Sequence, residues 1–207
     1  MKSLHARYLR IFFGLLGWSA VITEVVVLMN QGVFNPSNFF SFFTILSNIA
    51  AASFLLYYGV TNDNSRNVQV TRGAITLYML MTGVIFALLL SGLADVRLTA
   101  IAWDNTVLHY IMPIVVVLDW MLNPPRNRLP VSVVKFWILF PIIYVVYTLL
   151  RGSIVVWYPY PFLNPQMSSY TQVTVTSIVI ALFVFVAAFF LQRVGTIKYK
   201  SVAKKRS

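Results

Sequence analysis

Six long stretches of the chain are dominated by apolar residues, and the polar residues between them fall into short clusters. The stretches cover roughly 11–29, 39–59, 74–93, 104–122, 134–150 and 173–192. Each is about the length a helix needs to cross the hydrocarbon core of a bilayer. The connections carry helix breakers: Asn35-Pro36, Asn62-Asp63-Asn64-Ser65, Asn123-Pro124-Pro125, then Pro159, Pro161 and Pro165. There is no internal repeat, and no polar stretch is long enough to build a separate core. The pattern predicts an all-α polytopic membrane protein. A single domain over 1–207 forms a six-transmembrane-helix bundle, with 193–207 as a basic tail.

Polar residues inside the apolar runs are the informative exceptions, because hydrocarbon does not solvate them. In the second run Ser41, Thr44 and Asn48 recur at spacings of three and four, which a helix places on one side. Ala51 and Ala52 continue that side, while Phe42, Ile45, Leu46 and Ile49 fill much of the rest. The narrow stripe is expected to face other helices or a cavity, and the apolar arc to face lipid.

Composition agrees: 59% of the 207 residues are hydrophobic and only 10% charged, well below the share in a soluble domain. The absence of cysteine removes disulfides, thiol catalysis and thiolate metal sites. The first apolar run is longer than a signal-peptide core and no small-residue cleavage site follows it, so no cleavable leader is expected. A net charge of +11 would suggest nucleic acid in a soluble protein, but here the charges flank the apolar runs. They read as topology signals and as contacts to anionic lipid head groups, with the basic tail resting on the inner leaflet. No nucleic-acid partner is expected. Of the 16 Lys and Arg residues, 14 fall on one side of the six-span arrangement, leaving Arg97 and Arg151 on the other. The positive-inside rule therefore makes both termini cytoplasmic.

That orientation sorts the polar residues by depth. Thr44 lies about one turn below the outer surface, and His109 lies at similar depth counted from Asp104. Glu24, Ser91 and Arg151 also fall near the outer ends of their spans. The outer third of the membrane thus collects polar groups from five spans, and Asp119 is the carboxylate of the inner layer, expected to pair with loop arginines.

His109 is followed by Pro113, which has no N–H to offer the His109 carbonyl, so a kink and a free carbonyl are expected there. Asn105, one turn above, is placed to orient the imidazole. His109 is either a functional group, the default for an ionisable residue at this depth, or a hydrogen-bonding link between helices. Thr44 in turn either acts chemically or bonds a carbonyl of its own helix. Asn48 is interhelical glue or an oxyanion donor. Glu24 is protonated, or paired with Arg151 or Arg97, or orients His109. The aromatic loop Trp157-Tyr158-Pro159-Tyr160-Pro161-Phe162 reads as an interfacial belt that also has the means to cap a cavity.

Several chemistries are excluded. The chain has no Gly-x-Ser-x-Gly elbow, no His-Glu-x-x-His helix and no phosphate-cradling glycine loop. Its two histidines cannot form a multi-histidine metal site. No metal and no organic cofactor is expected.

Thr44-Ile45-Leu46-Ser47-Asn48 after an aromatic-rich entry, Leu108-His109-Tyr110-Ile111-Met112-Pro113, and the Trp157–Phe162 loop occur in this order. Together they resemble the androgen-induced and androgen-dependent membrane proteins and their bacterial six-pass relatives. The resemblance covers nearly the whole chain and implies a multi-pass protein of the cell membrane, here the bacterial inner membrane. Animal members hydrolyse fatty acid esters of hydroxy fatty acids with an intramembrane threonine and a histidine. Those roles fall on Thr44 and His109. The implied substrate is a membrane lipid or lipid ester reaching a cavity in the outer half, with Asn48, Glu24, Asn105, Ser91 and Arg151 in supporting positions. The alternative is a transporter or lipid-binding protein that uses the same polar layer, in which Glu24 and Arg151 matter more than Thr44. A third reading is a structural or assembly partner with no chemistry.

Overall fold

The structure, a computed structural model, describes residues 2–92, 99–125 and 128–204. Arg97, Arg126, Lys205 and Arg206 lie outside the described residues, as do the side chains of Lys2, Lys198, Lys200 and Lys204. Every regular element among the described residues is helical: α1 (Lys2–Asn30), α2 (Pro36–Phe39), α3 (Phe43–Thr61), α4 (Arg66–Ile85), α5 (Ala102–Thr106), α6 (Met112–Leu122), α7 (Val134–Val155) and α8 (Tyr170–Lys204). A π turn, Phe86–Leu90, extends α4, and a second, Val107–Ile111, joins α5 to α6. Among the described residues six helical segments are long and apolar enough to cross a membrane: Leu4–Asn30, Phe43–Thr61, Arg66–Leu90, Ala102–Leu122, Val131–Val155 and Tyr170–Ile197. They coincide with the six apolar runs, and the chain is an all-α polytopic bundle.

Two boundaries differ from the expectation. The second span does not begin near 39. Asn35 Oδ1 accepts the Asn38 N–H at 3.1 Å and Pro36 opens α2, a single turn that ends before α3 starts at Phe43. Ser41 therefore precedes α3 instead of lying on its polar face, and its hydroxyl is held by the Ser37 carbonyl and the Tyr147 phenol. The other difference is at the end of the sixth span, where α8 continues past 192 to Lys204.

The bundle is tightest where α1 meets α3. A Cβ on Gly14 would lie 2.9 Å from the Ala52 carbonyl, and one on Gly17 would lie 3.0 Å from the Ala52 methyl. Small residues let the two backbones approach, as is usual for helices in lipid. The opposite side of α1 exposes Phe12, Leu15, Ile22, Val26 and Met29, and α8 exposes Val175, Ile178, Leu182, Val186 and Phe190. These apolar faces suit contact with acyl chains.

Two buried apolar clusters fill the interior. One joins α4, α7 and α8 and includes Phe43; the other joins α1, α3 and α6 and includes Ile45. Thr44 sits between those two residues, on the seam. At the other end of the bundle Asp119 takes Arg10 at 2.8 Å and Arg72 at 2.9 Å. Both arginines stand within helices, α1 and α4, and not in loops as the charge pattern suggested.

Candidate active site between two chambers

α3 begins without a side-chain cap: Phe42, at the N-cap, has no group to offer. The first free N–H groups of a helix need acceptors, and two phenols provide them. Phe43 N–H donates to Tyr144 Oη and Thr44 N–H to Tyr160 Oη, each at 3.2 Å. The Tyr144 O–H in turn donates to the Ser41 carbonyl at 2.9 Å. Because α3 starts at Phe43, no helical carbonyl stands four residues behind Thr44, so the usual intrahelical partner of a threonine is missing. The hydrogen-bond partner of Thr44 Oγ1 among the described residues is Tyr160 Oη, at 3.3 Å.

Tyr160 comes from the loop between α7 and α8. Its ring stacks on Phe162 at 5.2 Å and meets Phe42 edge-on at 5.7 Å. The loop rests on α7 at Gly152, where a Cβ would run into the Tyr158 ring. Burial pushes the Tyr160 phenol above its ordinary range, so the group stays protonated and able to donate.

Thr44 and Tyr160 form a wall between two chambers. One, of about 270 Å³, is apolar and runs among α4, α7 and α8 past Met81, Phe86, Ile142, Ala181 and Val184. The other, of about 290 Å³, is the more polar of the two: Glu24, Gln31, Asn35, Asn38, Thr99 and His109 line it beside apolar side chains such as Leu28 and Phe39. Both residues of the wall line both chambers. Thr44 is buried and faces no bulk lipid.

His109 lies on the π turn Val107–Ile111, and Phe86, on the other π turn, stacks against its ring at 4.2 Å. π turns widen a helix by one residue and recur at functional sites. The expected distortion before Pro113 takes this form. The His109 carbonyl oxygen lies near α4, 3.8 Å from where a Cβ on Gly83 would stand. Nδ1 lies 3.2 Å from the Asn105 carbonyl. A carbonyl only accepts, so in the neutral ring Nδ1 carries the proton and Nε2 is left as the acceptor. The orienting group of Asn105 is thus its backbone, while its Oδ1 is buried without a partner. No hydrogen bond joins Thr44 to His109, so the close contact expected of a nucleophile and its base is absent from this state of the site; the two share the polar chamber.

Asn48 is fully buried, and its amide donates to the Thr44 carbonyl at 2.9 Å and the Leu108 carbonyl at 3.0 Å. Two acceptors fix the amide's orientation. Both amide hydrogens are spent, so Asn48 ties α3 to the π turn and has no donor left for an oxyanion. Glu24 accepts the Ala100 N–H through both carboxyl oxygens, at 2.9 and 3.0 Å, and does not pair with Arg151. Arg151 instead donates to Asn38 Oδ1 at 2.7 Å and lies over the Trp157 ring. It stands behind the chamber wall. Ser91 bonds the Ala87 carbonyl on its own helix and lines neither chamber.

In the sequence Tyr160 stands only as part of the aromatic loop, a belt or cavity cap, and Ser47 only as part of the Thr44–Asn48 stretch; in the structure the Ser47 hydroxyl meets Thr82 of α4 at 2.9 Å. An uncapped helix start would have been the signal for the phenols, and the boundary drawn at 39 hid it. Comparison with protein-family models, with curated proteins and with solved structures finds no match.

Proposed function

We propose that this chain is an integral membrane hydrolase of lipid esters, of the type that joins a fatty acid to a hydroxy fatty acid. Thr44 is the nucleophile and His109 the base. One observation carries the reading: the Thr44 hydroxyl lies on the wall shared by an apolar chamber and by the polar chamber that holds His109. An ester needs that combination, with room for an acyl chain on one side of the reacting carbonyl and polar groups on the other. An apolar cavity of about 150 Å³ accepts benzene; by proportion the apolar chamber accepts a chain of ~10 carbons. The motif resemblance supports the same roles.

The chemistry follows from the groups present. Thr44 Oγ1 attacks the ester carbonyl, its proton passes to His109 Nε2, and the carbonyl electron pair moves to oxygen. Collapse restores the carbonyl and breaks the bond to the alcohol oxygen, which takes the proton from His109. Water then attacks the acyl-threonine, gives a proton to His109, and releases the fatty acid as Thr44 regains its proton. Catalytic hydrogen bonds commonly lengthen without substrate, and Thr44 and His109 approach across the polar chamber when the ester enters. The positive flanks support an orientation with both ends of the chain in the cytoplasm, the chambers in the outer leaflet and the tail on anionic head groups. Reporter fusions at the tail and in the loop before α8 test this.

Purified protein in liposomes, given a branched fatty acid ester, tests the function. Thr44→Ala and His109→Ala each abolish hydrolysis, and the double variant loses no more than either alone. Thr44→Ser retains part of the activity. Unchanged hydrolysis by Thr44→Ala refutes the mechanism. A second reading, binding or transport of a fatty acid, is favoured by one observation: Thr44 Oγ1 is bonded to Tyr160 and not to His109. Under it Thr44→Ala weakens uptake of a labelled fatty acid and no ester is cleaved.

A further inference from the structure

We propose that Tyr160 is a third catalytic residue, whose phenol donates a hydrogen bond to the Thr44 hydroxyl at rest and to the oxyanion during ester cleavage. This rests on the hydrolase reading of Thr44.

Hydrogen accounting supports it. The Thr44 N–H can only donate, so at 3.2 Å it occupies a lone pair of Tyr160 Oη and leaves the phenol proton free. Tyr144, the neighbouring phenol, has spent its proton on the Ser41 carbonyl. Thr44 Oγ1, 3.3 Å away, is an acceptor for the Tyr160 proton. A threonine hydroxyl that accepts from Tyr160 keeps its own proton to give, and the polar chamber on that side holds the accepting nitrogen of His109. Tyr160 thus orients the nucleophile for deprotonation.

Attack makes the second role. The bond from Oγ1 to the carbonyl carbon forms, the π pair moves onto the carbonyl oxygen, and the threonine proton goes to His109. Oγ1 then has less need of a donor, and the new oxyanion has more. The Tyr160 O–H shifts to that oxygen, joined by the Thr44 N–H at the start of α3, where the helix dipole also favours negative charge. No proton leaves Tyr160. The phenol is held for this by ring contacts with Phe42 and Phe162, which do not involve its oxygen.

Tyr160→Phe keeps those ring contacts and removes one oxygen. Tyr144→Phe is its matched control: it also removes an acceptor from an N–H at the start of α3, but the Tyr144 proton goes to the Ser41 carbonyl and not to Thr44. Both variants of the full chain are assayed in liposomes beside the parent and Thr44→Ala. Tyr160→Phe should lower kcat by about 10²–10³, with KM within a few-fold, while Tyr144→Phe keeps kcat within a few-fold. Equal losses in both, or a loss in KM alone, would reduce Tyr160 to a helix cap and overturn the proposal. An active parent with an inactive Thr44→Ala and a normal Tyr160→Phe leaves the hydrolase reading standing and removes Tyr160 from it. A parent no more active than Thr44→Ala ends both. Incorporating 3,5-difluorotyrosine at 160 covers the case in which Tyr160→Phe fails to fold. It preserves the ring and oxygen but strengthens the donor, so kcat should move by about twofold or more; an unchanged kcat overturns the proposal.

Discussion

Removing the carboxylate of Asp119 should loosen the end of the bundle away from the chambers. Asp119 Oδ1 accepts from Arg10 Nε at 3.0 Å and Nη2 at 2.8 Å, and Oδ2 accepts from Arg72 Nη2 at 2.9 Å. Asn123 adds a further donor to Oδ1. The arginine side chains are only 6% and 3% exposed, so water does not replace the lost partner. Breaking one buried ion pair costs about 3–5 kcal/mol, mainly through the charge left behind. Here one carboxylate serves two cations, and Asp119→Ala belongs at the upper end. For a chain of this size each kcal/mol moves the melting midpoint by about 2–4 °C, so ~5 kcal/mol lowers it by ~10–20 °C. Part of the cost is absorbed by Tyr58, whose ring lies under the Arg10 guanidinium at 4.2 Å. Thermal unfolding in detergent, followed by size-exclusion fluorescence, measures the shift. Adding Arg72→Leu to Asp119→Ala removes one stranded cation and should recover part of the loss. A midpoint for Asp119→Ala within about 2 °C of the parent would refute the view that the cluster locks α1, α4 and α6 together.

Three further outcomes are expected. Gly152→Ala puts a methyl into the Tyr158 ring and should displace the loop that carries Tyr160, lowering hydrolysis by about tenfold or more with the fold intact; unchanged turnover would separate the loop's seat from the site. Ala181→Phe fills part of the apolar chamber and should shift preference toward shorter acyl chains, read from a series of esters; an unaltered preference would place the acyl chain elsewhere. The Ser65 N–H, with help from the Tyr57 phenol, holds the Asp63 carboxyl below its ordinary value. Its contribution is therefore present above the ordinary carboxylate range and is lost as pH falls through the lowered value, and Asp63→Asn should flatten that part of an acid-unfolding curve by a small amount because the group is exposed.

The six spans were legible in the sequence because crossing a bilayer is a demand on length and composition, and each run meets it locally. Flanking charge and rise per residue also give each polar residue an expected depth without knowledge of its neighbours. That reasoning brought Thr44 and His109 to one level, and they line one chamber. It could not supply the partners. Phe39–Phe43 reads as continuous apolar helix, yet α3 starts at Phe43, its first N–H groups taken by phenols 101 and 116 residues further along the chain. Asn48 carries the same residue type whether it donates to an oxyanion or to two carbonyls; only the approach of Leu108 decided that both hydrogens are spent. Arg10 and Arg72 count as topology charges in the sequence and as ligands of Asp119 in the bundle. Fitness to cross a bilayer depends on a helix's own residues, whereas burial of a given side chain, as of Ile45, and a hydrogen bond or ion pair depend on which distant atoms arrive, within about 3 Å for the polar pairs, and packing of the helices alone settles that.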